Sequence, residues 1–479
     1  MKNILPSMKE AFPMTPPRAN SAAARDIASA IHPYTDLKAH LEIGPLVISR
    51  GEGVHVWDDS GKRYIDALAG LWCASLGFSN ERLVQAAMKQ MRTLPFYHSF
   101  AAKSHEPMID LAEMLIARAP VPMSKVFFAN SGSEANDTAI KMVWYFNNAI
   151  GRPKKKKLIG RNRGYHGITV AAASLTGLPA NHRSFDVPLP GFLHTITPHH
   201  YHLAEPGESE EAFATRCADE LEKLILAEDP DTVAAMWAEP VMGAGGVIVP
   251  PATYYEKIQA VLKKYDILLV ADEVICGFWR TGNYWGSQTM GLQPDIISCA
   301  KALSSSYLPI SAVMVNERIF QGLAEESHVI GTFGTGFTYS GHPVAAAVAV
   351  ETLKIYDETD IGGHVREVGP YMQQQLRRRF EGHELVGEVR GVGLVAGVEL
   401  VADKAAHKNF DPKQKVGARA AKLMEANGVI GRAMTNDLLG FCPPLIVTEP
   451  QIDEIVDGVG RALDELAVQL RREKLAVVA

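Results

Sequence analysis

Lys301 lies in the tetrapeptide Ala300-Lys301-Ala302-Leu303, just past the apolar run Asp295-Ile296-Ile297-Ser298-Cys299 and before the small-residue loop Ser304-Ser305-Ser306. By itself, a lysine at the end of a strand reads as a solvated surface residue. A second run changes that reading: Ile267-Leu268-Leu269-Val270-Ala271 leads straight into Asp272-Glu273-Val274. An amine and a carboxylate at the ends of adjacent buried strands can act together. The amine condenses with an aldehyde, and the carboxylate keeps a ring nitrogen protonated.

Other strand ends carry compatible groups. Ser131-Gly132-Ser133-Glu134-Ala135-Asn136 follows the run Val126-Phe127-Phe128-Ala129 and opens an amphipathic helix reaching about Asn148. Free amides at a helix start attract an anion, and the hydroxyls add donors. A plain serine N-cap backed by Glu134 accounts for the same residues. No Gly-Lys-Ser/Thr follows, and there is no GxGxxG, so neither a P-loop nor a dinucleotide site is indicated. Gly164-Tyr165-His166-Gly167 offers an aromatic ring that can stack on a flat ligand or simply be buried. Ala238-Glu239-Pro240 puts a second carboxylate at the same edge. Ligands of such sheets collect at the carboxyl ends of strands. A phosphate site, an aromatic plate, two carboxylates and a lysine at successive strand ends suit pyridoxal 5'-phosphate (PLP).

The elements that must position these groups can be read from patterning. Short apolar runs (Lys125–Phe128, Lys157–Ile159, Val233–Met236, Leu268–Val270) alternate with helical periodicity from about residue 80. Near-continuous apolar strands between helices indicate a mostly parallel sheet covered on both faces. Val54–Trp57 and Tyr64–Asp66 flank Asp58-Asp59-Ser60-Gly61, a hairpin pattern. Past about residue 340 come a helix over roughly 342–356, the runs 389–394 and 395–400, and a last helix over roughly 449–473, an α/β lobe of its own. Residues 1 to about 35 read as an arm that needs a partner surface for order.

Composition excludes several classes. The chain has 479 residues, too many for one simple core, with 47% hydrophobic and 21% charged residues, ordinary globular values. A net charge of -6 gives no footprint for nucleic acid. No apolar run is long enough to span a bilayer. Met1-Lys2-Asn3-Ile4-Leu5-Pro6 lacks the apolar core of a signal peptide, so a cytoplasmic location is expected. Five scattered cysteines without CxxC spacing indicate neither a disulfide framework nor a zinc site. Cys299 reads as a buried small hydrophobe. Lys154–Lys157 reads as a solvated charge run. His199-His200-Tyr201-His202, with no carboxylate or cysteine pattern nearby, reads as an ordinary loop, and no metal site is expected.

Taken together these motifs resemble the class III (ω-) aminotransferases of PLP fold type I, closest to the ω-amine:pyruvate branch. The similarity spans about residues 35 to 470. Its residues are Leu71-Trp72, Ser131 to Asn136, Tyr165-His166-Gly167, Glu239-Pro240, Gly243–Gly246, Asp272-Glu273-Val274, Lys301, Phe337–Pro343, Arg432 and Cys442-Pro443-Pro444. The resemblance implies a large PLP-binding domain over 86–340, built on a mostly parallel seven-stranded sheet. Residues 1–85 would form an N-terminal arm and part of a small α/β domain, which 341–479 completes. It makes Lys301 the Schiff-base lysine and Asp272 the partner of the pyridine nitrogen. Ser131, Gly132 and Ser133 match the phosphate cradle. Tyr165 and Val274 match the residues on the two ring faces, with His166 and Glu239 beside the cofactor. Thr338 matches a threonine that reaches the neighbouring subunit's phosphate, which implies a homodimer with shared sites, or a tetramer of such dimers. Leu71, Trp72, Tyr165 and Arg432 match substrate positions, and Phe100 an aromatic given across the subunit boundary. Two residues depart from the pattern: Trp279 stands where the family has a small residue, and Ala302 follows Lys301 where glycine is common. The alanine is tolerated if its φ is negative.

The implied reaction is a ping-pong transfer of an amino group from a polyamine, β-alanine or aryl-alkyl amine to pyruvate or a similar keto acid. Arg432 would grip the carboxylate, and Trp72 would line the pocket for the amine side chain. Mutases, decarboxylases and racemases share the fold and stand as the alternative. A non-catalytic module would lack Lys301 or Asp272, and a dehydrogenase would need GxGxxG.

Overall fold

The computed structural model describes residues 18–473 and residue 475. The first half of the expected arm, residues 1–17, lies outside the described residues. From residue 18 the chain forms two short helices, Ala22–Ser29 and Leu37–Ile43, each capped by an acceptor side chain, Ser21 and Asp36.

Strands β1 (Ile48–Glu52), β2 (His55–Asp58) and β3 (Arg63–Asp66) form an antiparallel meander. The expected hairpin joins β2 to β3. Asp58 closes it by accepting from the amides of Ser60 and Lys62, both at 2.9 Å, while Gly61 takes φ 88°. Seven strands then build the central sheet: β4 (Lys125–Ala129), β5 (Lys157–Arg161), β6 (Phe192–Thr195), β7 (Val233–Ala238), β8 (Leu268–Asp272), β9 (Ile296–Cys299) and β10 (Ser311–Val315). Their order is β4-β10-β9-β8-β7-β5-β6. Only β10 runs antiparallel to its neighbours, so the sheet is mostly parallel and seven-stranded, as expected.

Every residue of β7 to β10 is buried, which explains their unbroken apolar runs. Alternate side chains serve opposite faces. Leu268 and Val270 pack with Ala139, Val143 and Phe146 of helix Gly132–Ala149. Leu269 and Ala271 face the cluster holding Leu221, Ile258 and Leu262. A third sheet, β11 (Val386–Val392), β12 (Val395–Leu400), β15 (Leu438–Phe441) and β14 (Arg432–Met434), follows the helices Pro343–Glu358 and Ile361–Phe380. Strand β13 (Val429–Ile430) pairs in parallel with β3, tying the two ends of the chain together. The last helix spans Glu449–Arg472. Among the described residues, no helix is long and apolar enough to cross a membrane.

Two readings need correction. The lysine run is not simply solvated: Lys155 is buried. The amines of Lys155, Lys156 and Lys157 donate to the carbonyls of Tyr265, Trp144 and Glu228 at 2.9, 2.8 and 2.7 Å. Tyr265 and Glu228 end helices, where carbonyls lack intrahelical donors. The histidine segment does meet carboxylates. His199 lies 2.9 Å from Glu388 and His202 2.5 Å from Glu399, brought in by β11 and β12. Their separation of nearly two hundred residues hid them from local spacing.

Candidate active site

A cavity of about 560 Å³ opens at the carboxyl ends of the parallel strands. Leu71, Trp72, Gly132, Ser133, Tyr165, His166, Glu239, Asp272, Val274, Lys301 and Arg432 all line it. Three expected site residues do not. Ser131 is exposed, and its hydroxyl caps the helix by accepting from the Glu134 amide at 3.2 Å. Phe100 and Thr338 are exposed as well, and the Phe100 ring lies against Gly336.

Asp272 ends β8 and is buried. Its Oδ2 accepts from His166 Nδ1 at 2.9 Å and Asn136 Nδ2 at 2.8 Å, and its Oδ1 accepts from the Val274 amide at 3.1 Å. A carboxylate has about four acceptor positions, so Oδ1 keeps one for the cavity. Asn136 uses its whole capacity. Its amide donates to Asp272 and to the His166 carbonyl at 2.7 Å. Its oxygen accepts from Ser298 Oγ at 2.8 Å and Trp237 Nε1 at 3.1 Å. A flipped amide would set donors against donors, so the network holds Asp272 in one orientation.

Lys301 follows β9 with φ 51°, a left-handed conformation of the kind found where a site holds a side chain in place. Burial pulls its amine below the usual lysine range, with Asp272 and Glu239 among the negative groups opposing that pull. The neutral amine that attacks an aldehyde is favoured accordingly. Ala302 is tolerated because the positive φ falls on Lys301 and not on it. Glu239 is buried, and its two oxygens accept from the amides of Tyr165 at 3.0 Å and Gly243 at 2.8 Å. Burial pushes this carboxyl up, while His166 and Arg161 pull it down.

At the other end of the cavity, helix Gly132–Ala149 starts with Ser131 and Glu134 arranged as a cap. Glu134 accepts from the Asn130 amide at 2.7 Å. The N-cap reading is seen directly, and the cap leaves Gly132 and Ser133 at the cavity wall, where the anion reading needs them. A side chain at position 132 would begin 3.0 Å from Val274 Cγ2, so anything larger than glycine would push Val274 aside by a few tenths of an ångström. These residues fit PLP: helix-start amides for its phosphate, Tyr165 and Val274 for its ring faces, the spare Asp272 acceptor for its ring nitrogen and Lys301 for its aldehyde.

The substrate side rests on a turn that sequence reasoning missed. Buried Asp66 accepts from the amides of Leu68 at 2.8 Å and Gly70 at 2.6 Å. It holds a stretch in which Ala69, Gly70 and Trp72 all have positive φ. Trp72 is buried by this turn and Leu71 is left exposed. Arg432 comes from β14. It is half-buried and has no carboxylate partner among the described residues. Its guanidinium lies 5.4 Å from the Tyr34 ring centroid. Tyr34 and Asn181 also line the cavity, and Asn181 donates to the Tyr34 hydroxyl at 2.6 Å. Trp279 lies away from the cavity. It packs on Gly362, where a Cβ would come within 2.5 Å of the indole, and under Arg366. Gly362 makes the room that the larger residue needs.

The profile of the family Aminotransferase class-III matches residues 38–463. A Pseudomonas jessenii ω-transaminase solved in complex with PMP has a TM-score of 0.93 and 58% identity, covering 94% of this chain and 99% of that one. A structure described as a transaminase with L-Ala is 60% identical at a TM-score of 0.87, covering 89% and 100%. A mitochondrial γ-aminobutyrate transaminase of Oryza sativa subsp. japonica is 50% identical over 446 residues, which is 92% of this chain and 86% of the relative. The chain belongs to the class III aminotransferases, PLP-dependent enzymes of fold type I that move an amino group to a keto acid.

Proposed function

We propose that this cavity transfers the amino group of an ω-amine or ω-amino acid to pyruvate, with Lys301 and Asp272 as its catalytic residues. When bound, PLP supplies an electron sink for the carbon that loses its proton. The chain's own groups do the rest. The Lys301 amine, which burial pulls below the usual lysine range, would take the proton from the donor carbon and return it to the carbon on the far side of the nitrogen between them. Asp272, fixed by Asn136 and His166, holds the proton on the ring nitrogen. Amides at the start of helix Gly132–Ala149 anchor the phosphate.

One observation carries the choice of substrate. Arg432 and Trp72 face the same cavity as Lys301, and Arg432 has no anionic partner among the described residues. An unpaired guanidinium suits a planar carboxylate by two parallel hydrogen bonds. Pyruvate supplies that carboxylate, and the solved relative named with L-Ala supports this acceptor. The γ-aminobutyrate named for the plant relative supports ω-amino acids among the donors, since their far carboxylate meets the same fork. Polyamines and aryl-alkyl amines would use Trp72 instead. Exposed Thr338 and Phe100 support a homodimer in which each residue serves the other subunit's site. The free cysteines support a reducing compartment such as the cytoplasm; the plant relative is named mitochondrial.

The test is a donor panel (γ-aminobutyrate, β-alanine, putrescine, 1-phenylethylamine) with pyruvate, read by alanine formation. Alanine from at least one ω-amine is expected. Alanine from none, or turnover of an amino acid without any keto acid, would replace this reading.

A further inference from the structure

The two helices before β1 carry Tyr34 between them, and through it they form part of the cavity wall. This unit has almost no core. No residue of Ala22–Ser29 is buried, and in Leu37–Ile43 only His40 is. Ile31, Tyr34, Leu37 and Leu41 are all exposed. Segments this small need a staple other than apolar burial.

The segment does contain three converging polar side chains. Asp26 Oδ1 lies 2.8 Å from His32 Nε2 and 3.1 Å from His40 Nε2, and Asp26 Oδ2 lies 2.9 Å from His32 Nε2. The two imidazole centroids are 4.5 Å apart, tilted by 40°. Both rings thus present the same nitrogen to one carboxylate, from positions six and fourteen residues further along the chain. Asp26 has no lysine or arginine partner among the described residues. The other histidine-carboxylate cluster differs on this point. Beside His199, Glu388 and Glu399 already hold Arg390, at 2.5 and 2.7 Å, and a cation is in place.

We infer that Asp26, His32 and His40 form a site for a zinc-like divalent ion that clips the segment bearing Tyr34 over the cavity. In a tetrahedron with bonds of about 2.0–2.1 Å, neighbouring ligand atoms are about 3.3–3.4 Å apart. The two separations from Asp26 Oδ1 need only a few tenths of an ångström of opening, and the three ligand atoms all lie within 4.8 Å of one another. Each ring binds as neutral imidazole through its Nε2 lone pair, with its proton on Nδ1, and Asp26 binds as carboxylate. Two nitrogens and one carboxylate leave the remaining position to water and suit zinc over calcium or magnesium. Neither Nδ1 has a protein acceptor among the described residues, which weakens the site by about 10–100-fold relative to one whose rings are held by such partners. Tyr34 stands two residues after His32, with its ring under Arg432, so the clip also sets one wall of the cavity. The site stands independently of the reaction proposed above.

The test uses the PLP-loaded enzyme after chelation and dialysis, titrated with zinc chloride in a calorimeter. Wild type, His32→Gln, Asp26→Asn and the exposed control His328→Gln are compared. His32 is a third exposed, so its replacement leaves the fold standing. One zinc ion per chain is expected in wild type and control, with affinity at least tenfold weaker in the other two variants. Hydrogen exchange over residues 22–43 should slow with zinc in wild type and control only. No stoichiometric uptake by wild type would mean a clip made of hydrogen bonds alone and would overturn the inference. Undiminished uptake by both His32→Gln and Asp26→Asn would overturn it too, as would zinc uptake with no change in exchange over this segment.

Discussion

Replacing Arg432 with alanine should separate the two halves of the reaction. The guanidinium lines the cavity beside the Tyr34 ring and has no carboxylate partner among the described residues, so it is free to grip a carboxylate. A charge-assisted bidentate contact contributes about 1.5–3 kcal/mol. Arg432 is half-buried, and solvent screening favours the lower part of that range. At 1.4 kcal/mol per factor of ten, the lower part of that range lets pyruvate affinity fall about ten- to fortyfold. The half-reaction with 1-phenylethylamine, which has no carboxylate, should change little. Trp72→Ala should do the reverse, because the indole is buried in the cavity wall and offers a carboxylate nothing. The assay follows each half-reaction separately by the absorbance of the cofactor, with one substrate at a time. Equal damage to both halves by Arg432→Ala would refute the reasoning, and the carboxylate site would then lie elsewhere.

Asn136→Ala leaves the buried Trp237 N–H and His166 carbonyl without partners, at about 1–3 kcal/mol each. Thermal unfolding of the loaded enzyme should therefore come several degrees lower, and an unchanged midpoint would contradict the network. Burial pushes Glu273 to about 7, against the pull of three donors from Ser287 and Gly286. Its folded value is raised, so its contribution to stability is full below pH 4.5 and is lost as pH rises through 7, on the order of 3 kcal/mol in all. Urea unfolding should show the gap between wild type and Glu273→Gln moving in the variant's favour from pH 5 to pH 8, and a constant gap would contradict this. Mixing Lys301→Ala with Thr338→Ala under verified subunit exchange should restore activity through heterodimers with one intact site. No rescue would count against shared sites.

Much of this arrangement is legible in the chain because strand ends are local features. A continuous apolar run announces a strand buried on both faces, and the residue just past it falls at the sheet's ligand edge. Lys301, Asp272 and Glu239 were found that way. Asn136 lies one turn beyond Ser133 on the same helix, and that spacing alone could have flagged it. Tyr34, Asn181 and Asp66 had no such signal. Tyr34 meets Arg432 across nearly four hundred residues. Asp66 acts through a turn whose positive φ values no residue pattern announced, since Ala69 and Trp72 are not residues that favour them. The lysine run misled for a related reason: two of the three carbonyls it satisfies, those of Tyr265 and Glu228, belong to segments distant in the chain. Trp279 was a departure without an explanation until Gly362 appeared against it.

The central claim is that Lys301 bonds covalently to the cofactor in this cavity. Borohydride reduction of the yellow holoenzyme, followed by digestion and peptide mass mapping, tests it most directly. The account predicts that the reduced cofactor is fixed to the peptide containing Lys301, with no label in Lys301→Ala and nearly all of that variant's turnover lost. Label on another lysine, or full turnover by Lys301→Ala, would contradict it.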